Sequence, residues 1–198
     1  MALEALKRNG HNLHIGEFET DGRYNIPVLK PILLEHRLHW LPFNCARTDK
    51  GRSAHGIHFF VDDYLFERVW NDPARYALLL SDFHAVMTPD FSLFTDYPLP
   101  VQIYNHWRKH LLGAYWQSRG ITVIPSICWS DEASFDWCFD GEPVGRREET
   151  AHWIDPTTDV GQKLDGQGIP KLGRLFIGVP AKADLRNWFC DPIFIKSG

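Results

Sequence analysis

Cysteine is sparse in this chain and never closely spaced. Cys45, Cys128, Cys138 and Cys190 form no C-x-x-C pair, which argues against a zinc ribbon or a disulfide framework and predicts four reduced, unpaired thiols. Long apolar runs are missing as well. None approaches the ~18 residues of a membrane span, and the opening MALEALKRNG lacks an apolar signal-peptide core. A cytoplasmic protein with no membrane partner is the expectation. Nor is there an excess of positive charge: 21 Lys and Arg stand against 25 Asp and Glu, a net charge of −4. That balance opposes duplex-DNA binding by bulk electrostatics, while leaving room for a local basic stripe. Internal repeats and low-complexity tracts are absent too.

What the chain does have is the balance of an ordinary globular protein, 44% hydrophobic and 23% charged. Its 198 residues suit one domain, or one domain with an appendage. Such a length buries a sizeable core without covalent staples. The 8 Trp and 13 Phe must fill that core or line a groove; spacing assigns Trp107 and Trp70 to the core, and leaves Phe91, Phe94 and Trp129 as candidates to stack on bases.

Residues 1–25 are polar and interrupted by glycine, and read as a mobile lead-in. Structure is expected from Ile26, with a first strand at Leu38–Leu41. Gly56–Val61 is a short apolar run closed by Asp62-Asp63, where a carboxylate, Asp63 on this reading, can cap the helix that follows through Phe66, Val69 and Trp70. Asp72-Pro73 restarts a second helix, and His84–Thr88 reads as the next strand. Between Pro98 and Gln117, Ile103, Tyr104, Trp107, Leu111, Ala114 and Tyr115 recur at helical spacing, with Gly120 as the stop. Ile121–Ile124 follows as a strand, which Pro125 confines to an edge or bulge, and Ser130-Asp131 begins a short helix through Phe139. Strands alternating with helices predict an α/β fold with a mostly parallel sheet, either doubly wound or a partial β/α barrel. The chain is too short for a complete barrel, which takes about 250 residues. From Gly145 to Gly173 the texture is polar and glycine-rich, and an irregular segment is expected.

Four stretches carry a resemblance: HFFVDDYLFERVWNDPARY from His58, PDFSLFTDYPLPVQIYNHWR from Pro89, GAYWQSRGITVIP from Gly113 and WSDEASFDWCFDGEP from Trp129. In this order they resemble the family known as domain of unknown function 4417, found in bacteriophages and mobile elements, over residues 26–143. The resemblance implies a phage-associated protein working in the bacterial host's cytoplasm, and it brings no activity with it. Residues 144–198 look unlike the family and are expected to be a divergent extension packing on the domain.

Ligands of open α/β sheets and barrels bind beyond the carboxyl ends of the strands. Those ends carry Asn44, Asp62, Asp63, Asp90 and Trp129, with Asp96 in the loop after Asp90. Asp62, Asp63 and Asp90 are the candidate catalytic residues and metal ligands, since converging carboxylates make a hard-oxygen site for Mg²⁺ or Mn²⁺. Asp96, Asn105, Arg108, Gln117 and Trp129 are the candidate substrate contacts, with Lys109 as a further phosphate contact. The function expected is a metal-assisted hydrolase or transferase acting on a nucleotide or nucleic acid. The alternative is a non-enzymatic phage protein that binds and redirects a host protein. His106 and His110, four apart on the clearest helix, have the spacing of a metal pair. They lack the Glu of H-E-x-x-H and enclose Arg108 and Lys109, so a solvated polar face is the expected explanation.

Overall fold

The computed structural model describes residues 9–32, 34 and 38–143, together with the backbone of residues 174–175. Four parallel strands form its centre: His39–Pro42 (β3), His55–His58 (β4), Ala85–Met87 (β5) and Val123–Ile124 (β6). Ahead of them lies a small antiparallel pair, Thr20–Asp21 (β1) with Ile26–Pro27 (β2). Two 3-10 turns, Phe43–Cys45 and Arg52–Ala54, connect β3 to β4. Helices Asp63–Asn71 (α1) and Pro73–Leu80 (α2) lead from β4 to β5, and Leu99–Ser118 (α3) leads from β5 to β6.

The strands stand side by side in chain order, β3-β4-β5-β6. A doubly wound sheet reverses its order part-way, and this one does not. Right-handed crossovers that always advance in one direction put every helix on the same face. Packing agrees: Phe66, Val69 and Trp70 of α1, Tyr76 and Leu80 of α2, and Leu111, Leu112, Tyr115 and Trp116 of α3 share one core with Ile57, Val86 and Val123. Of the two expected architectures, the winding is that of a partial β/α barrel, open among the described residues. Successive strand residues face opposite sides, so Ala85, Met87 and Ile124 turn to a second cluster with Phe60 and Leu34. Burying each of these large side chains contributes about 1.5–3 kcal/mol.

α3 is the longest described helix, and its termination follows a definite pattern. Gly120, at φ +80°, donates its N–H to Gln117 O, while Ile121 donates to Trp116 O. These are the paired closures of a Schellman motif, which requires a left-handed residue where glycine is cheapest. β6 stands at the edge of the four-stranded sheet, the place expected from Pro125. Ser126–Ile127 (β7) pairs instead with Arg174–Leu175 (β8), antiparallel. A 3-10 turn at Glu132–Asp136 follows, N-capped by Asp131, whose side chain accepts from Ser134 N at 3.0 Å.

Three expectations need adjustment. Structure begins before Ile26: Asn12 Nδ2 donates to Trp70 O at 2.7 Å, and Val28 N to Glu19 O at 2.8 Å, so residues 9–25 are tied to the domain from Asn12 onward. The N-cap position of α1 is Asp62, not Asp63, and the Asp62 side chain makes no capping bond. The histidine pair of α3 is buried, not solvated. Cys45, Cys128 and Cys138 are free thiols, as expected. Cys190 and the expected irregular segment 145–173 lie outside the described residues. No described helix is long and apolar enough to cross a membrane.

Candidate site at the carboxyl ends of the strands

Two of the aspartate-bearing strand ends meet. Asp63, in the first turn of α1, accepts hydrogen bonds from Ser92 N at 3.0 Å and Ser92 Oγ at 2.9 Å. The loop after β5 is thereby held against the start of α1. Asn105 closes the arrangement from α3, donating Nδ2 to Ser92 O at 2.7 Å. Asp62 is exposed beside this junction, whereas Asp90, two residues before Ser92, is buried. Asp90 lies within electrostatic reach of Lys109 and Cys128. Among the described residues no group of three His, Cys, Asp or Glu side chains is placed to hold a metal ion.

The candidate substrate contacts divide. Arg108 bridges to Glu67 at 2.6 Å and lies 3.6 Å from the centre of the Phe91 ring. Its guanidinium thus ties α3 to α1 through the ion pair and to the loop after β5 through a cation–π contact. Gln117 clamps Lys30, accepting from its N–H at 2.8 Å and donating to its carbonyl at 2.9 Å. Twelve residues along α3 from Asn105, it is about 18 Å away from the rim at 1.5 Å per residue. Trp129 is half-buried against Phe135, and Asp96 and Asn44 are exposed.

The polar core of the site lies under the rim, where sequence reasoning did not place it. Gln102, His106, Lys109, His110 and Gly113 recur along α3 at spacings of four, three, one and three, and all are buried. They form a second buried stripe, opposite the apolar one. Lys109 is 1% exposed and donates Nζ to Ser126 O at 2.8 Å and to Glu142 Oε1 at 2.9 Å. His110, fully buried, contacts the same Glu142 oxygen through Nε2 at 3.1 Å and Pro27 O through Nδ1 at 2.9 Å. His106 Nε2 is 3.0 Å from Asp140 O. Next to Lys109, Thr88 Oγ1 and Ser126 Oγ are 2.9 Å apart. The backbone allows this closeness because Gly141, at φ +78°, has no Cβ: one would fall 2.6 Å from Pro27 O and 2.8 Å from His110 Nδ1.

Charge is held here by mutual pairing. Burial is the largest influence and opposes the Lys109 ammonium, but Glu142, Cys128 and Asp90 together outweigh it and raise the lysine above its ordinary pKa. Burial equally opposes the Glu142 carboxylate, and Lys109 and His110 together hold it below the usual range. His110 is pushed down by burial, which the neighbouring ammonium reinforces. Burial raises the Cys128 thiol, and that of Cys138 to about 12. Glu142 Oε2 is buried without a hydrogen-bond partner among the described residues.

Where the stripe emerges at the start of α3 there is a half-open cleft of about 410 Å³. Arg23, Tyr97, Gln102, Ser130, Asp136 and Trp137 contribute to its walls. Ser130 Oγ donates to Gln102 Oε1 at 2.6 Å, and Gln102 Nε2 donates to Tyr97 O at 2.8 Å.

Residues 18–148 match the family described as "Domain of unknown function (DUF4417)". The chain belongs to that family. The match covers the cleft, the buried stripe with Glu142, and all the candidate rim residues. Relatives of this DUF4417 chain include the "Gene 1 protein" of Mycobacterium phage L5, 37% identical over 158 residues that make up 78% of this chain and 68% of the relative. Another is the "Gene 1 protein" of Mycobacterium phage D29, 36% identical over 162 residues, 78% of this chain and 58% of the relative. No solved structure matches.

Proposed function

We propose that this DUF4417 chain is a hydrolase or transferase that acts on a nucleotide or nucleic acid at the carboxyl-end rim of its sheet, assisted by Mg²⁺ or Mn²⁺. The observation behind this reading is the junction of Asp63 with Ser92, which joins the two aspartate-bearing strand ends and leaves Asp62 exposed beside them. Mg²⁺ commonly takes one or two carboxylates and completes its shell with water and substrate phosphate. A preformed three-ligand group is therefore not required. In this scheme Asp62 is the open ligand, Asp63 positions the rim, and Asp90 balances Lys109 beneath it. Held at Asp62, such a cation would supply Lewis-acid polarisation of a phosphoryl group and a bound water of lowered pKa.

Thermal unfolding with Mg²⁺ and ATP added together tests the reading. A rise in Tm that Asp62→Asn abolishes, accompanied by Mg²⁺-dependent phosphate release, is the expected result. No metal-dependent stabilisation and no turnover would refute it. A second reading rests on the exposed apolar side chains of Phe94, in the loop before α3, and of Leu99 and Val101 in its first turn. These suit a protein that binds and redirects a host protein. Replacing all three by serine would then abolish capture of the host protein and leave Tm unchanged.

A further inference from the structure

We infer that His39 and His55 form a binding site for Zn²⁺ at the amino ends of β3 and β4, the end of the sheet opposite the Asp62 junction. The two residues are partners in the parallel register, so their side chains leave the sheet on the same face. Their ring centres are 5.2 Å apart. Two imidazoles on a tetrahedral zinc, with Zn–N at ~2.0–2.1 Å, have ring centres roughly 5 Å apart. The spacing already present is therefore the spacing that a shared ion requires.

The His55 ring is fixed from behind. Its Nδ1 lies 3.0 Å from Asp49 Oδ2, and that hydrogen bond is the chief influence holding the Asp49 carboxyl below its ordinary pKa. An ionised carboxylate only accepts, so Nδ1 carries the hydrogen and the neutral ring keeps its lone pair on Nε2. A carboxylate behind a histidine in this way sets the tautomer and raises the basicity of the nitrogen that meets a metal. Gly51 completes the seat, since a Cβ there would fall 2.7 Å from His55 Cε1. The positive charge of Arg52 close by is balanced by Asp82 at 2.7 Å. By contrast, the His106 and His110 pair is engaged: both nitrogens of His110 and Nε2 of His106 have partners. His39 is exposed and His55 half-buried, so an ion reaches the pair from solvent. Two imidazoles suit Zn²⁺ better than Mg²⁺ or Ca²⁺, and water fills the rest of the shell. β3 is an edge strand of the four-stranded sheet, and an ion shared by His39 and His55 ties that edge to its neighbour.

The test is a titration of the full chain with Zn²⁺, read by thermal unfolding and by the imidazole resonances in ¹H–¹⁵N NMR, and reversed with EDTA. Zn²⁺ at about a hundredfold over its Kd should raise Tm by roughly 5–11 °C and shift the His39 and His55 resonances. His39→Ala should remove the rise and leave the metal-free Tm in place, because His39 is exposed. His55→Ala should remove the rise as well. Asp49→Asn keeps an acceptor for the Nδ1 hydrogen but loses the charge, and should weaken Zn²⁺ about tenfold. His14→Ala, at an exposed histidine outside the site, should leave the response intact. A Tm unmoved by ~1 mM Zn²⁺, a rise that survives His39→Ala, or a rise that His14→Ala abolishes would overturn the inference. Mg²⁺ should leave both imidazoles unmoved, so the outcome is independent of the rim reading.

Discussion

Replacing Glu142 by glutamine removes one charge at nearly constant shape, and its cost can be worked out from the burial of Lys109. In the wild-type chain the ammonium has two polar partners shown, the Ser126 carbonyl at 2.8 Å and Glu142 Oε1 at 2.9 Å. Side-chain exposure is 1% for Lys109 and 2% for Glu142, so water screens neither. Glutamine leaves the ammonium buried and uncompensated by its nearest anion. Breaking a buried pair from one side typically costs 3–5 kcal/mol, so the loss is about that much, out of a total near ~5–15 kcal/mol. For a chain this long each kcal/mol is worth about 2–4 °C, so Tm should fall by roughly 6–20 °C. The double variant Lys109→Met/Glu142→Leu removes both charges together and should recover at least about half of the loss. The exposed Arg52–Asp82 bridge is the control, and Asp82→Asn should cost less than about 1 kcal/mol. Urea unfolding of the four proteins gives the comparison. A Glu142→Gln loss below about 1 kcal/mol, or a double variant worse than the single one, would refute the reasoning.

Two further outcomes follow from backbone and titration. Burial pushes the His58 imidazole down to about 4, so from about pH 6.5 down to about 4 the unfolded chain takes up a proton that the folded chain refuses. Stability is full above the unfolded value and falls with pH through that window, by roughly 3 kcal/mol at its foot. His58→Asn keeps an acceptor for Phe60 N–H and should flatten the slope; an unaltered profile would exclude His58 as its source. The left-handed glycines should also separate: Gly120 has open space where a Cβ would go, whereas Gly141 meets backbone and His110. Gly120→Ala should cost about 1–2 kcal/mol and Gly141→Ala clearly more, and equal losses would contradict the packing described at Gly141.

Much of the sheet was legible because β4, β5 and β6 are buried on both faces, which leaves short apolar runs that stand out between polar turns. Ile57, Val86 and Val123 turn to the helices, and Met87 and Ile124 to the other face, yet all read alike as apolar. The ends of α3 were legible for a local reason, since Pro98 and Gly120 punctuate the chain through backbone geometry alone. What could not be read was the winding. Strand order depends on which neighbours pair, and the alternation of strand and helix is common to both architectures.

The candidate site was legible at the rim and illegible below it, because polarity in a sequence is read by default as exposure. His106, Lys109 and His110 look like a solvated face when judged by residue type. Their burial depends on Glu142, 33 residues beyond Lys109 in the chain, and on the Pro27 carbonyl, 83 residues before His110. Neither partner is visible in the helix itself. One local signal was available: the stripe Gln102, His106, Lys109, His110 and Gly113 keeps the period of a buried face and ends in a glycine. A solvated face has no need of that glycine, whose missing Cβ brings Leu29 and Thr88 within 2.8 Å of where it would stand. A polar stripe at helical period that closes on a small residue is therefore a sign of close packing on a second side. The same logic separates Gln117, spent on Lys30 at the far end of the helix, from Gln102 at the cleft. Both are amides on α3 held by the fold, Gln102 between Ser130 and the Tyr97 carbonyl and Gln117 against Lys30, and of the two only Gln102 lies where the polar stripe reaches the start of the helix.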